Sequence, residues 1–193
     1  MDIEVPLPDE KEKPSRLNTW VAITVALLAT FTGICKVKDD NIVQAMQQAQ
    51  ADKIDHWAWY QSLHTREDMM ENELARLKLM MVTTAADKQA PLSELIERTE
   101  EKKEKIIAHK EEMKKNAEDD QKNYDALNYH DDQFDLSDAM IAIAIALLAI
   151  AALSQATWLF CLALVPSIFG VIMGLSGLIG WQIHPDFIIK LLS

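Results

Sequence analysis

Two pairs of histidine and glutamate are the residues whose types and spacing could bind a metal ion. His64 and Glu67 lie three positions apart, and His109 and Glu112 repeat that spacing further along the chain. If the chain turns back near residue 89, both pairs lie at one height of an antiparallel helix pair, as in diiron helical bundles. Those sites use the order Glu-x-x-His with further glutamates, whereas the order here is His-x-x-Glu. We therefore expect solvated polar side chains and no metal site.

An aromatic cluster occupies residues 55–61, which read Asp-His-Trp-Ala-Trp-Tyr-Gln. His56, Trp57, Trp59 and Tyr60 cover every side of one helical turn, so one neighbouring helix cannot bury them all. Because Trp and Tyr dominate interface energetics, the cluster predicts a contact site for a second copy or a partner protein. Core packing where several helices meet is the alternative, and the sequence leaves both open.

Catalytic and cofactor motifs are missing from the sequence. It has no nucleophile paired with a base, no Gly-rich phosphate loop, no CxxC pair and no HExxH motif. We expect neither an enzyme nor a bound cofactor.

A set of small residues near the end of the chain is typical of membrane helix packing. Gly170, Gly174 and Gly177 step by four and three, which places them on one helix face and allows close approach of a neighbour. The preceding apolar segment offers a matching face. That face consists of Ala142, Ala146 and Ala149. The pattern favours packing between these two segments, with a dimer interface as the alternative.

Two apolar blocks must position these glycines. None of residues 17–35 is charged, and residues 139–183 also lack a formal charge. The first block is long enough for one membrane crossing and the second for two, separated by the polar residues 154–157. The three spans contain no central ionisable residue, which argues against a transport pathway.

The polar stretch between these blocks positions the aromatic cluster. Residues 38–84 and 93–134 are rich in good helix formers and contain neither Pro nor Gly. Each carries a seam of residues with coiled-coil spacing. The first seam is Ile42, Met46, Ala49, Lys53, His56, Tyr60, Leu63, Glu67, Met70, Leu74, Leu77 and Met81. The second is Ile96, Thr99, Lys103, Ile106, Lys110, Met113, Ala117, Asp120, Tyr124, Leu127, Asp131 and Phe134.

The predicted fold is therefore an all-α integral membrane protein with three transmembrane helices and a long antiparallel coiled-coil hairpin between the first and second. Ser93 is the expected N-cap of the second arm. Polar residues at Lys53, His56 and Glu67 interrupt the first seam and are of the kind that set register and partner choice. The expected segments are a disordered tail at 1–16, a span at 17–35, a hairpin at 36–136 with its turn at 85–93, spans at 137–155 and 157–182, and a tail at 183–193.

The charge of the chain bears on its partners. Thirty acidic residues oppose 19 basic ones, which gives a net charge of −11. Nucleic-acid binding requires a basic surface, so this balance argues against it. The expected partners are the lipid bilayer and a second copy of the chain or another subunit of a membrane complex.

The sequence also resembles a known family. The span beginning Leu-Asn-Thr-Trp at residue 17, and the stretch Asp55, Trp57, Tyr60 and Gln61, are similar to a bacterial membrane family called domain of unknown function 4337. The resemblance covers nearly the whole chain and implies its layout, but no activity or site residues. The family often has basic residues between the last two spans, whereas residues 154–157 have none.

Orientation and function follow as expectations. Lys11, Lys13 and Arg16 precede the first span, which favours a cytoplasmic N-terminus and a periplasmic hairpin in a bacterial inner membrane, although Lys36, Lys38 and Lys190 oppose it. Three crossings place Cys35 and Cys161 near opposite surfaces, so we expect no disulfide.

The expected function is a non-enzymatic, membrane-anchored scaffold that self-associates or docks a partner through its hairpin. An accessory subunit of a transporter or channel is the alternative.

Overall fold

The computed structural model describes residues 15–181, which form three α-helices, one 3₁₀ turn and no strand. The all-helical prediction is confirmed for these residues. The predicted tails at 1–16 and 183–193 lie almost wholly outside them. The elements are α1 at Arg16–Thr83, the 3₁₀ turn at Ala86–Lys88, α2 at Ala90–Ser154 and α3 at Thr157–Ile179.

The chain divides into two compact units, and α1 and α2 contribute to both. Among the described residues, an apolar unit comprises 15–41 and 129–181, and a polar unit comprises 42–128. Each of the three helices contains a segment that is long and apolar enough to cross a membrane.

The core of the apolar unit forms where α1, α2 and α3 meet. Its buried members are all apolar, and they recur every three or four residues along α2. They are Val21, Leu28, Ile141, Ala144, Leu148 and Ala163.

The connection between α2 and α3 is tight and depends on Gln155. This residue has a φ of 53°, a left-handed conformation that is costly for any residue except glycine. Its side chain accepts a hydrogen bond from the Ser15 hydroxyl at 2.8 Å and donates one to Asn18 Oδ1, also at 2.8 Å. The start of α1 is thereby joined to this connection.

Alternating burial along α1 and α2 organises the polar unit. All seam residues between 42 and 128 are buried or half-buried, although some are charged. Leu63, Leu74 and Leu77 are among the most buried on α1, and Ala117 is fully buried on α2. Because an α-helix has 3.6 residues per turn, seam residues three or four positions apart lie on one side of the helix, and that side is the buried one.

At the tip where α1 ends and α2 begins, the start of α2 differs from the prediction. Ser93 was expected to cap α2, but α2 begins three residues earlier at Ala90, and the Ser93 N–H donates to Gln89 O at 2.9 Å inside the first turn. Pro91 fits here because first-turn residues need no intrahelical donor. The Gln89 side-chain amide donates to Met81 O and Thr84 O, so it satisfies carbonyls at the end of α1.

Candidate functional site

Polar side chains bridge the two helices of the polar unit at the predicted seam. His56 Nδ1 lies 2.7 Å from Asp120 Oδ2, and Lys53 donates to Gln121 Oε1. Both contacts are partly buried, so water competes with them less than at an open surface. Polar groups at such positions must meet their complements across the seam, which makes one pairing of the helices better than its neighbours.

Glu67 and Lys110 form the most buried ion pair described in the polar unit. Their side chains are 14% and 13% exposed and are joined by a hydrogen bond from Lys110 Nζ to Glu67 Oε2. That bond lowers the pKa of Glu67 and raises the pKa of Lys110, because each charge stabilises the other. Further along, Lys103 Nζ lies 2.6 Å from Glu71 and continues the antiparallel register.

One of the two histidine and glutamate pairs considered for metal binding lies at this ion pair. His64 Nδ1 is 3.7 Å from Glu67, whose carboxylate is already held by Lys110. Across residues 15–181, no group of three or more His, Cys, Asp or Glu side chains is arranged to hold a metal ion.

The aromatic cluster divides between the inside and outside of the helix pair. Tyr60 is half-buried, meets the Trp57 ring edge-on at 5.3 Å, and has Lys110 Nζ 6.0 Å from its ring centre. Trp59 lies 52% exposed, and its ring centre is 5.8 Å from that of His109. The cluster therefore combines a packed centre with a large aromatic ring left in solvent.

Each Trp borders its own surface groove. Beside Trp57 the groove is lined by Lys53, Ala117, Glu118, Gln121 and Lys122. Beside Trp59 the lining residues are Asp52, Asp55, His56, His109 and Met113. Each of these two grooves therefore combines a tryptophan with acidic and basic side chains. The basic side chains are lysines beside Trp57 and histidines beside Trp59.

Sequence reasoning missed Gln121 and His109 as neighbours of the cluster. Gln121 lies one residue off the predicted second seam, and the pairing of Lys53 with it depends on the exact register of the two helices. The sequence did contain a signal for these neighbours. A turn near residue 89 places His64 and His109 at about the same height, and this predicts which part of α2 faces the cluster.

The glycine face of α3 packs inside the apolar unit. A Cβ atom added at Gly174 would lie 2.7 Å from both Phe31 Cε1 and Ser137 Oγ, and one at Gly177 would lie 2.8 Å from Phe134 Cζ. At Gly170 the nearest atom would be Ile141 Cγ1, also at 2.8 Å. These glycines allow α3 to approach both α1 and α2 closely.

The partner face of α2 differs from the expected one. Ala142, Ala146 and Ala149 are exposed, whereas Ile141, Ala144 and Leu148 are buried. The selection is made by polar residues that precede this segment: Ser137 Oγ donates to Gly170 O at 2.7 Å, and Gln133 Nε2 donates to Trp181 O at 2.8 Å. Both bonds turn the side of α2 that bears Ser137 towards α3.

Comparison with known proteins identifies a family without a described activity. The family described as domain of unknown function (DUF4337) matches residues 17–180. No curated protein and no solved structure matches the chain.

Proposed function

The chain belongs to the DUF4337 family, and we propose that it is a non-enzymatic, membrane-anchored scaffold that self-associates through its polar unit. The contact is centred on Trp57, Trp59 and Tyr60, with Lys53, His56 and Glu67 setting the register of the helices beneath it. The exposed ring of Trp59, beside a packed Tyr60, is the observation that carries this proposal.

Membrane insertion is supported by how little of the apolar surface the chain covers itself. At most a third of each apolar helical segment is buried. Leu27, Leu153 and Val165 are all more than 60% exposed, and so are Trp20 and Trp158. A bilayer would cover these side chains, and the helices satisfy their own backbone hydrogen bonds in lipid.

Self-association is favoured by the chemistry around the two tryptophans. Aromatic residues at a partly packed surface lose little conformational entropy on binding and bury a large area, which makes them strong interface anchors. The groove beside Trp57 carries two lysines, whereas the groove beside Trp59 carries two carboxylates, so a second copy can present opposite charge to each groove. In this proposal the helix pair is an antiparallel coiled coil whose seam polar residues restrict the pairing.

For localisation we propose a bacterial inner membrane with the polar unit on the periplasmic side. The basic residues before the first apolar segment support this orientation. A reporter that functions only in the cytoplasm can be fused after Lys88. Activity of that reporter would place the polar unit in the cytoplasm and contradict this orientation.

The mass of the mildly solubilised complex tests the proposed function. We expect an oligomer for the natural sequence and a shift to monomer for the triple variant Trp57→Ala, Trp59→Ala, Tyr60→Ala. Trp59→Ala alone should weaken assembly without disturbing Tyr60, and circular dichroism checks that both variants remain helical.

A second triple variant serves as the matched control. Met69→Ala, Leu79→Ala and Val82→Ala remove three exposed apolar side chains from the same helix, and assembly should persist. A monomeric natural protein in lipid, or equal loss in both triple variants, would contradict the proposal. Ion flux in reconstituted vesicles would favour a transporter or channel subunit instead.

A further inference from the structure

A group of carboxylates lies in the apolar unit where the apolar segments of α1 and α2 meet their polar continuations. Asp39 belongs to α1, while α2 contributes Asp131, Asp132, Asp135 and Asp138. Lys36 forms an ion pair with Asp39 of this group and also with Asp40, which is largely exposed. Helix α3, from Thr157 to Ile179, carries no charged residue. His184, Asp186 and Lys190 are outside the described residues.

Asp39 is the most buried member of this group. It is 4% exposed, and its Oδ2 accepts a hydrogen bond from Lys36 Nζ at 2.7 Å. Its other oxygen, Oδ1, is buried and has no hydrogen-bond donor among the described residues. A buried acceptor without a donor is costly, so this oxygen requires a partner.

Asp131 is on the neighbouring helix α2, and its carboxyl group interacts with that of Asp39. Two ionised carboxylates cannot hydrogen-bond to each other, because each then has only acceptor oxygens. If Asp131 is protonated, its O–H supplies the donor that Asp39 lacks. Burial raises the pKa of Asp131 to about 6, and the contact with Asp39 and the charge of Asp135 act in the same direction.

A small cavity adjoins Asp39 on the side of the apolar segments. Its volume is about 20 Å³, and its lining includes Thr32, Ser137 and Asp138. Thr32 Oγ1 is buried there and has no hydrogen-bond partner among residues 15–181. The cavity is large enough for one water molecule, and its polar lining is the kind that holds one. A proton could reach Asp39 through such a water.

We propose that Asp39 and Asp131 form a proton-binding site that joins α1 to α2 and is independent of the self-association surface. One proton, taken from water, resides on Asp131 and is donated to Asp39 in a hydrogen bond. When the proton returns to water, two carboxylates face each other at a buried contact. Their repulsion then loosens the contact between α1 and α2, so the apolar unit responds to pH.

The sign of this response follows from linkage. The folded chain holds the proton up to a higher pH than the unfolded chain, whose aspartate has the ordinary pKa of 3.8. The stabilisation is therefore complete below that value and is lost as the pH rises to about 6. Asp135, whose pKa is also raised by burial, contributes in the same direction, while Lys36 opposes it.

Infrared spectroscopy of the full chain in lipid nanodiscs tests the site. The natural sequence should show the C=O stretch of a protonated carboxyl group that disappears on titration with a midpoint near pH 6. Asp131→Asn and Asp39→Asn should each abolish that titrating band. Asp40→Asn, which changes a neighbouring exposed carboxylate, should leave it intact.

A stability measurement keeps the test independent of spectral assignment. The side-chain amide in Asp131→Asn can donate to Asp39 without a titrating proton. The thermal midpoint of the Asp131→Asn variant should therefore depend less on pH than that of the natural chain between about pH 4 and pH 7. A band that survives Asp131→Asn, or no protonated carboxyl near pH 5, would overturn the proposal. A midpoint that shifts with sodium at constant ionic strength would also overturn it, since the site would then bind a cation.

Discussion

At the residue scale, the ion pair of Glu67 and Lys110 is the polar contact of the seam whose loss we expect to affect stability most. Both side chains are mostly buried, so removing one charge leaves the other without its partner. Neighbouring pairs on the same helices are more exposed and are expected to contribute far less.

Glu67→Gln should lower the unfolding free energy by on the order of 2 kcal/mol, because Lys110 loses a charged acceptor. Glu71→Gln is the matched control, since its bond to Lys103 is more exposed and its loss should cost well under 1 kcal/mol. Chemical denaturation of the detergent-solubilised chain measures both. Equal effects of the two substitutions would contradict the role given to Glu67.

The same pair predicts a pH dependence. The pKa of Glu67 is below its ordinary value of 4.5, so the stability that it contributes is present above that value and is lost as the pH falls through the lowered pKa. The natural chain should therefore lose more stability on acidification than the Glu67→Gln variant does. Thermal unfolding scans across the acid range compare the two.

Gly174 gives a third prediction at the residue scale. An added Cβ would meet the rigid ring of Phe31 and the hydroxyl of Ser137 at 2.7 Å, so Gly174→Ala should lower the thermal midpoint by several degrees. Gly33→Ala is the control, because within the described part of the chain no atom outside the local helix backbone lies within 4 Å of the added atom. A helix-interior alanine there should be neutral or slightly stabilising. A destabilised Gly33→Ala together with a tolerant Gly174→Ala would refute the packing described for α3.

At the element scale, the connection between α2 and α3 is positioned by a residue in an unfavourable conformation. Gln155 has a positive φ, and its side chain links this connection to Ser15 and Asn18. The backbone cost is offset by those hydrogen bonds.

Substituting Gln155 separates the two contributions. Gln155→Ala and Gln155→Gly both lose the side-chain bonds, but only glycine also relieves the left-handed backbone. The glycine variant should therefore be more stable than the alanine variant by about 1 kcal/mol. Thermal unfolding of both variants measures the difference, and an alanine variant at least as stable as the glycine variant would contradict this account.

The helices themselves were predictable because their periodicity is carried by residue type. In the polar unit, charged residues on the outer faces show which side of each helix is buried, and the predicted seams are buried or half-buried. In the apolar segments, both faces are apolar, so residue type does not distinguish the side that meets protein. The prediction that used Ala142, Ala146 and Ala149 depended on small size alone and selected an exposed face. The actual choice is made by Ser137 and Gln133.

At the scale of the whole molecule, the proposed scaffold needs contacts between chains that no single chain can make. The apolar unit exposes side chains that suit lipid, whereas the polar unit exposes an aromatic ring that suits a protein surface. In this proposal the polar seam favours one pairing of α1 with α2, and the aromatic cluster then presents its tryptophans to a second copy.

Disulfide trapping between copies in native membranes tests the proposed contact most directly. The two native cysteines, Cys35 and Cys161, are free and are first replaced by alanine. A single cysteine is then introduced as Ala58→Cys, at an exposed position that lines a groove together with Trp59 and leaves the tryptophans in place. Val82→Cys, at a position 83% exposed on the same helix, serves for comparison. Mild oxidation should convert the Ala58→Cys chain into a covalent dimer and leave the Val82→Cys chain monomeric. Efficient trapping at residue 82 with none at residue 58 would contradict a self-association surface centred on the aromatic cluster.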